Sequence, residues 1–218
     1  IHTADGEEAT IDLKIVQAIP ESVEINKYPE DYKMYIGESF QFGAVVNPST
    51  ADQTVKWTCY SATAEHAWRY IDIETGVFKA NSVGTFTIGC RCAYEYRDDD
   101  NGLHLFDHIR TDVTIEVLPI DAVDASLNAD ELNLFVGNTA SLNVTFNPYN
   151  TTYQGIEWTS SKESVASVSS NGIITALSVG ETVITARQEE NDITLTCTVK
   201  VTERVKDYKI GDYYYSDG

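Results

Sequence analysis

The chain has 218 residues, 34 of them acidic and 15 basic, for a net charge of −19. Such a field repels phosphate backbones and anionic membranes, so no nucleic acid is expected as a partner, and solubility is the simplest use of the charge. No stretch approaches the roughly 20 apolar residues of a membrane-crossing helix, so no membrane insertion is expected, and four cysteines are too few for a disulfide-dense scaffold.

Residues 1–19 begin with the acidic run Asp5-Gly-Glu-Glu8, and Ile11-Asp-Leu-Lys-Ile-Val16 then alternates apolar and polar as a strand does. This segment reads as an N-terminal extension or an edge strand. From residue 20 the segments are short, rich in Val, Ile, Thr, Phe and Tyr, and separated by Gly, Asn, Pro and Asp, a pattern of antiparallel strands. Over residues 20–119 the expected inward set is Phe40 and Phe42, Val55 and Trp57, Ile71 and Ile73, Phe86 and Ile88, then Val113, Ile115 and Val117. Two insertions interrupt this frame, Ala64–Tyr70 and Arg97–His108, and they are expected at opposite ends of the module. Pro119–Ala122 reads as a short linker.

Residues 120–204 repeat the plan with Leu132 and Leu134, Leu142, Val144 and Phe146, Ile156 and Trp158, Ala166 and Val168, Ile174 and Ala176, Ile184 and Ala186, and Leu195, Cys197 and Val199. A spacing of two in every segment buries one face and leaves the other wet. Residues 205–218, with Tyr213, Tyr214 and Tyr215, fall outside both repeats and read as the start of a truncated downstream module.

The two stretches share a frame. Gly37, Pro48, Trp57, Gly76-Val77 and Gly84 return as Gly137, Pro148, Trp158, Gly172-Ile173 and Gly180. A period of roughly 100 residues is too long for a solenoid unit and fits one sandwich. The fold class that follows is all-β, two tandem immunoglobulin-like β-sandwiches, each of about seven strands, with both frame indoles buried.

Ile156-Glu-Trp-Thr-Ser-Ser161, Ser164-Val-Ala-Ser-Val168, Asn171-Gly-Ile-Ile-Thr-Ala176 and Gly180-Glu-Thr-Val-Ile-Thr-Ala186 closely resemble the bacterial Ig-like domains of group 2, the family of intimin- and invasin-type adhesins. Residues 20–118 resemble it more loosely, through Ile36-Gly37, Asn47-Pro48, Val55-Lys-Trp57 and Gly84-Thr-Phe-Thr-Ile88. The resemblance implies a non-enzymatic spacer or adhesion segment of a bacterial cell-surface or secreted protein. It brings no active site and no cofactor, and its setting admits a protein or glycan partner at the cell surface and a downstream domain in the same chain.

Motifs that carry chemistry are scarce along the chain. No GxSxG, HExxH, P-loop or GxGxxG pattern is present. Asp98-Asp-Asp-Asn-Gly102 offers hard-cation oxygens, but Arg97 stands where a calcium loop needs its first Asp, and a solvated hairpin tip is preferred. His104 and His108 beside Asp107 do not amount to a metal site, so none is expected. Asn143-Val-Thr145 and Asn150-Thr-Thr152 match the N-glycosylation pattern, which has meaning only in a eukaryotic secretory pathway.

Trp68, Arg69 and Tyr70, in the first insertion, are the candidate ligand-binding residues. The preferred expectation has Trp68 folded back over the end of the first core; the alternative is a glycan-binding module accompanying a carbohydrate-active enzyme, with Trp68, Tyr70, Tyr94 and Tyr96 as platforms. Cys197 is expected as a free buried thiol. Cys59 shares the inward parity of Trp57, which leaves open a disulfide from Cys59, to Cys90 in preference to Cys92.

Overall fold

The structure, a computed structural model, describes residues 18–97 and 101–204. The chain divides into two compact units between Leu118 and Pro119. The segments at 1–17 and 205–218, read above as an extension and a further module, lie outside the described residues.

The first unit has ten strand segments: β1 (Ser22–Lys27), β2 (Lys33–Tyr35), β3 (Ser39–Gln41), β4 (Gly43–Asn47), β5 (Val55–Tyr60), β6 (Val77–Lys79), β7 (Gly84–Cys92), β8 (Glu95–Arg97), β9 (Leu103–Leu105) and β10 (Arg110–Leu118). One sheet runs β2-β10-β7-β5, with β2 parallel to β10 and the other pairs antiparallel. On the other side β1 pairs with β4 and β3 with β6. A first strand that leaves one sheet to run parallel with the last strand of the other is the immunoglobulin-like arrangement. The count is ten because the first and second strands are each split in two and β8 and β9 form an extra hairpin beyond β7 and β10, while the strand expected at Ile71 is reduced to a single bridge to Phe78.

Alternation fixes which face is buried. On β7, Phe86, Ile88, Cys90 and Cys92 are buried while Thr85 points out. Phe78 packs edge-on against Phe86 with centroids 5.4 Å apart, and Phe42 lies between Phe78 and Trp57, at 6.4 and 6.0 Å. Three fully buried phenylalanines therefore fill the space between the sheets that Trp57 closes. Ile73, expected inside, is instead exposed. Asp72 accepts hydrogen bonds from the backbone N–H groups of Glu74 and Thr75 at 3.0 and 2.8 Å, and the turn so formed carries Ile73 outward.

The second unit has nine segments: β11 (Asp124–Leu127), β12 (Glu131–Phe135), β13 (Thr139–Ser141), β14 (Val144–Asn147), β15 (Glu157–Ser160), β16 (Ala166–Val168), β17 (Ile173–Ala176), β18 (Gly180–Gln188) and β19 (Ile193–Thr202). One sheet is β12-β19-β18-β15, again with β12 parallel to β19; the opposite side is built from β13-β17-β16 and the β11-β14 pair. Its core centres on Leu142, Ile174, Ile184, Cys197 and Val199.

Trp158, expected to be buried, is only half-buried. Phe40 and Phe42 of the first frame are replaced by Ala140 and Leu142, so no ring covers the second indole as Phe42 covers Trp57. Its edge instead borders a cleft of about 260 Å³ with Gln154, Ile156 and Asn171.

Residues read as the linker are hydrogen-bonded onto the second unit. Ile120 N–H donates to Thr152 Oγ1 at 2.7 Å, Thr151 Oγ1 donates to the Ile120 carbonyl at 2.8 Å, and Ala122 N–H donates to Asn191 Oδ1 at 3.2 Å. Thr151 and Gln188, buried polar residues of this unit, both make hydrogen bonds.

Candidate functional site

The frame glycines answer to the frame indoles. Gly76 (φ +71°) lies against Trp57, where an added Cβ would stand 2.6 Å from Cε2; at Gly172 (φ +72°) it would stand 2.9 Å from Cζ2 of Trp158. Positive φ and ring contact both select glycine.

The first insertion turns through Ala67–Arg69, anchored by buried Ala64 and Ala67. Trp68 is 63% exposed and does not cap the core, contrary to the preferred expectation. The side chains of a tight turn diverge, and Ala67, not its bulky neighbour, points inward. Arg69 lies over the Trp68 ring, 4.9 Å from its centroid, a cation–π contact. Tyr70 is half-buried and packs on Phe86 at 5.7 Å. The three candidates therefore do not converge: Trp68 and Arg69 form an exposed pair, and Tyr70 belongs to the core. The adjoining cleft, about 380 Å³, is lined by Arg69, Tyr70, Asp72, Thr75, Val77 and Lys79 and not by Trp68. Backbone and hydroxyl donation from Thr75, then donation from the Glu74 N–H, holds the Asp72 carboxyl below the usual carboxylate range.

The second insertion lies at the far end of β7 from the first. Phe106 N–H donates to the Tyr94 carbonyl at 3.2 Å, continuing the hairpin of β8 and β9. One face of it is an aromatic ladder. Tyr96 stacks on His104 at 4.6 Å and 9°, Tyr94 meets Phe106 at 5.5 Å, and Phe106 meets His108 at 6.0 Å. The two tyrosine rings also stack on each other, with centroids 6.2 Å apart at 24°. Among the described residues no group of three or more His, Cys, Asp or Glu is placed to hold a metal; Asp98 to Asp100 lie outside them.

All four cysteines are free and buried, so the Cys59–Cys90 bridge that parity left open is not formed. The register sets Cys59 opposite Ile88 and Cys90 opposite Trp57, so the two thiols are offset by two residues along adjacent strands. Burial pushes the Cys59 and Cys90 thiols up to about 12, with Cys92 adding to the shift at Cys90, and burial raises Cys197 as well. At neutral pH Cys59, Cys90 and Cys197 are small protonated core side chains, not nucleophiles.

The outward face of β5, β7 and β10 holds a feature that the sequence reading passed over. The register lines up Lys56, Arg91 and Arg110 in one cross-strand row, Thr58, Gly89 and Asp112 in the next, and Tyr60, Thr87 and Thr114 in a third. Gly89 is the floor: a Cβ there would stand 2.7 Å from Asp112 Oδ1 and would also run into Thr58 Oγ1. Over it opens a cleft of about 320 Å³ bounded by Tyr60, Arg91, Asp107, Arg110 and Asp112. A glycine inside a strand pattern signals close approach by another group, and Gly89 carried that signal in the sequence.

Residues 123–203 match the bacterial Ig-like domain (group 2) family. A Clostridium acetobutylicum protein, itself uncharacterized, is 38% identical over 82 residues, which is 37% of this chain and 8% of that protein. A second uncharacterized protein of the same organism is 33% identical over 116 residues, 50% of this chain and 29% of that protein. The chain thus spans under a third of either relative. Solved structures similar to it include the S-layer protein SbsC (TM-score 0.37, 11% identity, 83% of this chain and 27% of that chain). Sidekick-1 immunoglobulin domains 1–5 give a TM-score of 0.37 at 15% identity, over 86% of this chain and 41% of that one.

Proposed function

We propose that this chain, whose second unit is a bacterial Ig-like domain of group 2, is a non-enzymatic spacer and adhesion segment of a bacterial cell-surface or secreted protein. The observation that carries the reading is that each unit closes its own hydrophobic core between two sheets. Side chains at the frame positions are used for packing: the indoles meet turn glycines and the cysteines are enclosed. Partners at the surface are engaged by faces of the sandwiches, not by an enclosed active site. A panel of glycoside, peptide and phosphoester substrates should show no turnover above a heat-denatured control; turnover that survives repurification would overturn the reading.

A second reading is favoured by the exposure of Trp68. An outward indole backed by Arg69 suits stacking on a sugar ring, as a glycan-binding module accompanying a carbohydrate-active enzyme requires. Glycan-array binding by the wild type that disappears in Trp68→Ala, with the fold intact, would replace the first reading by the second.

A further inference from the structure

The outer face of β5, β7 and β10 departs from what stability alone selects. Arg91 and Arg110 are directly opposed across the strand pair, and like charges so placed are destabilising. With 34 acidic residues available against 15 basic ones, carboxylate partners are abundant, yet among the described residues no ion pair joins either arginine to Asp107 or Asp112 in the same cleft. Only Lys56, at the end of the row, is paired, to Glu74. Two arginines thus stand on directly opposed residues, Arg110 exposed and Arg91 half-buried, without an ion-pair partner among the described residues.

Around them stand the other parts of a polar binding site. Thr58 Oγ1 and the Asp112 carboxylate lean over Gly89 from the two flanking strands and supply a hydroxyl and an acceptor at the floor. Tyr60, 56% exposed, projects from the same face two rows away, roughly 13 Å along the strands at about 3.3 Å per residue. The cleft continues past Arg91 and Asp107 into a second one, about 210 Å³, reaching Glu95, Leu105 and Phe106 at the hairpin. The equivalent of Gly89 in the second frame is Thr185, so the floor is particular to the first unit.

We infer that this groove binds an acidic saccharide, with a carboxylate of one sugar seated on Arg91 and Arg110 and neighbouring hydroxyls hydrogen-bonded by Asp112 and Thr58. Guanidinium pairs match carboxylates in charge and geometry. An acidic peptide fits less well, because it brings carboxylates without hydroxyls, whereas each uronate adds neutral hydroxyls that Asp107 and Asp112 accept from. Tyr60 supplies a ring face at the end of the groove. The inference goes beyond the spacer reading, which needs no ligand, so its failure leaves that reading standing.

The test is calorimetric titration of the whole chain with a trigalacturonate, with a neutral hexose trimer, and with a glutamate tripeptide of equal charge. The uronate should bind and the neutral sugar should bind at least about tenfold more weakly. Arg91→Gln combined with Arg110→Gln, and separately Gly89→Thr to raise the floor, should each weaken uronate binding by about tenfold or more, while Tyr149→Ala, on the exposed surface of the second unit, leaves it unchanged. Thermal melting of each variant confirms that the fold persists. Absence of uronate binding, equal binding of the neutral sugar or the glutamate peptide, or loss on Trp68→Ala with the arginine variant unaffected would each overturn the inference.

Discussion

Replacing Gly76 by alanine puts two physical terms on one residue. Its φ of +71° lies in the left-handed region, which is unfavourable for an L-residue by about 1–2 kcal/mol. The new Cβ would also stand 2.6 Å from Cε2 and 2.7 Å from Nε1 of Trp57. That indole is 3% exposed and backed by Phe42 at 6.0 Å, so it has no room to retreat, and overpacking of this kind costs about 1–3 kcal/mol. Together the terms predict that Gly76→Ala destabilises the first unit by about 2–5 kcal/mol. Gly37 separates them, because its φ is +90° and nothing lies within 4 Å of an added Cβ; Gly37→Ala should show the backbone term alone, about 1–2 kcal/mol. Urea unfolding in a Trp68→Phe background leaves Trp57 and Trp158 as the emitters, one in each unit. The Trp57 transition should shift further in Gly76→Ala than in Gly37→Ala, and the Trp158 transition should stay in place. Equal effects of the two substitutions would refute the indole argument.

Phe86, fully buried between Phe78 and Tyr70, should cost about 3–5 kcal/mol on replacement by alanine, read as an early Trp57 transition. A thiol reagent at pH 8 should leave the native chain unlabelled and modify four cysteines after unfolding without reductant, since all four are buried and free; fewer than four would restore a disulfide. Glu131 is held below its ordinary 4.5 chiefly by the hydrogen bond from Lys200 at 3.1 Å. Its folded value is depressed, so its contribution is present above 4.5 and lost as pH falls through the folded value. The stability difference between wild type and Glu131→Gln should accordingly vanish with acidification, as urea midpoints across pH will show. Trp68→Ala, at an exposed turn, should change stability by no more than about 0.5 kcal/mol.

The frame was legible because its determinants are local. Period two names Ile184, Ala186, Cys197 and Val199 as inward, and all four are buried; a glycine before an apolar pair marks the turns into β6 and β17. Trp158 and Ile73 escaped for different reasons. Parity says which face a side chain takes but not what covers it, and Trp158 lacks its lid because Ala140 and Leu142 replace two phenylalanines on another strand. Ile73 obeys a turn that Asp72 sets through two backbone donors, an interaction that breaks the strand parity locally. Whether Cys59 pairs was left open by parity and is decided by register, since parity alone cannot tell a directly opposed pair from one displaced by two. The arginine row was hidden for the same reason: Lys56, Arg91 and Arg110 come from three strands and become neighbours only when both pairings are known.

The claim beneath the functional reading is that the chain is two self-contained modules, each carrying load on its own core. Pulling on the ends of single molecules tests it most directly. The account predicts two separate unfolding steps, each releasing about 30 nm of chain at about 3.6 Å per residue, with Gly76→Ala weakening one step and Gly172→Ala the other. A single step of about 60 nm, or smooth extension without a step, would contradict it.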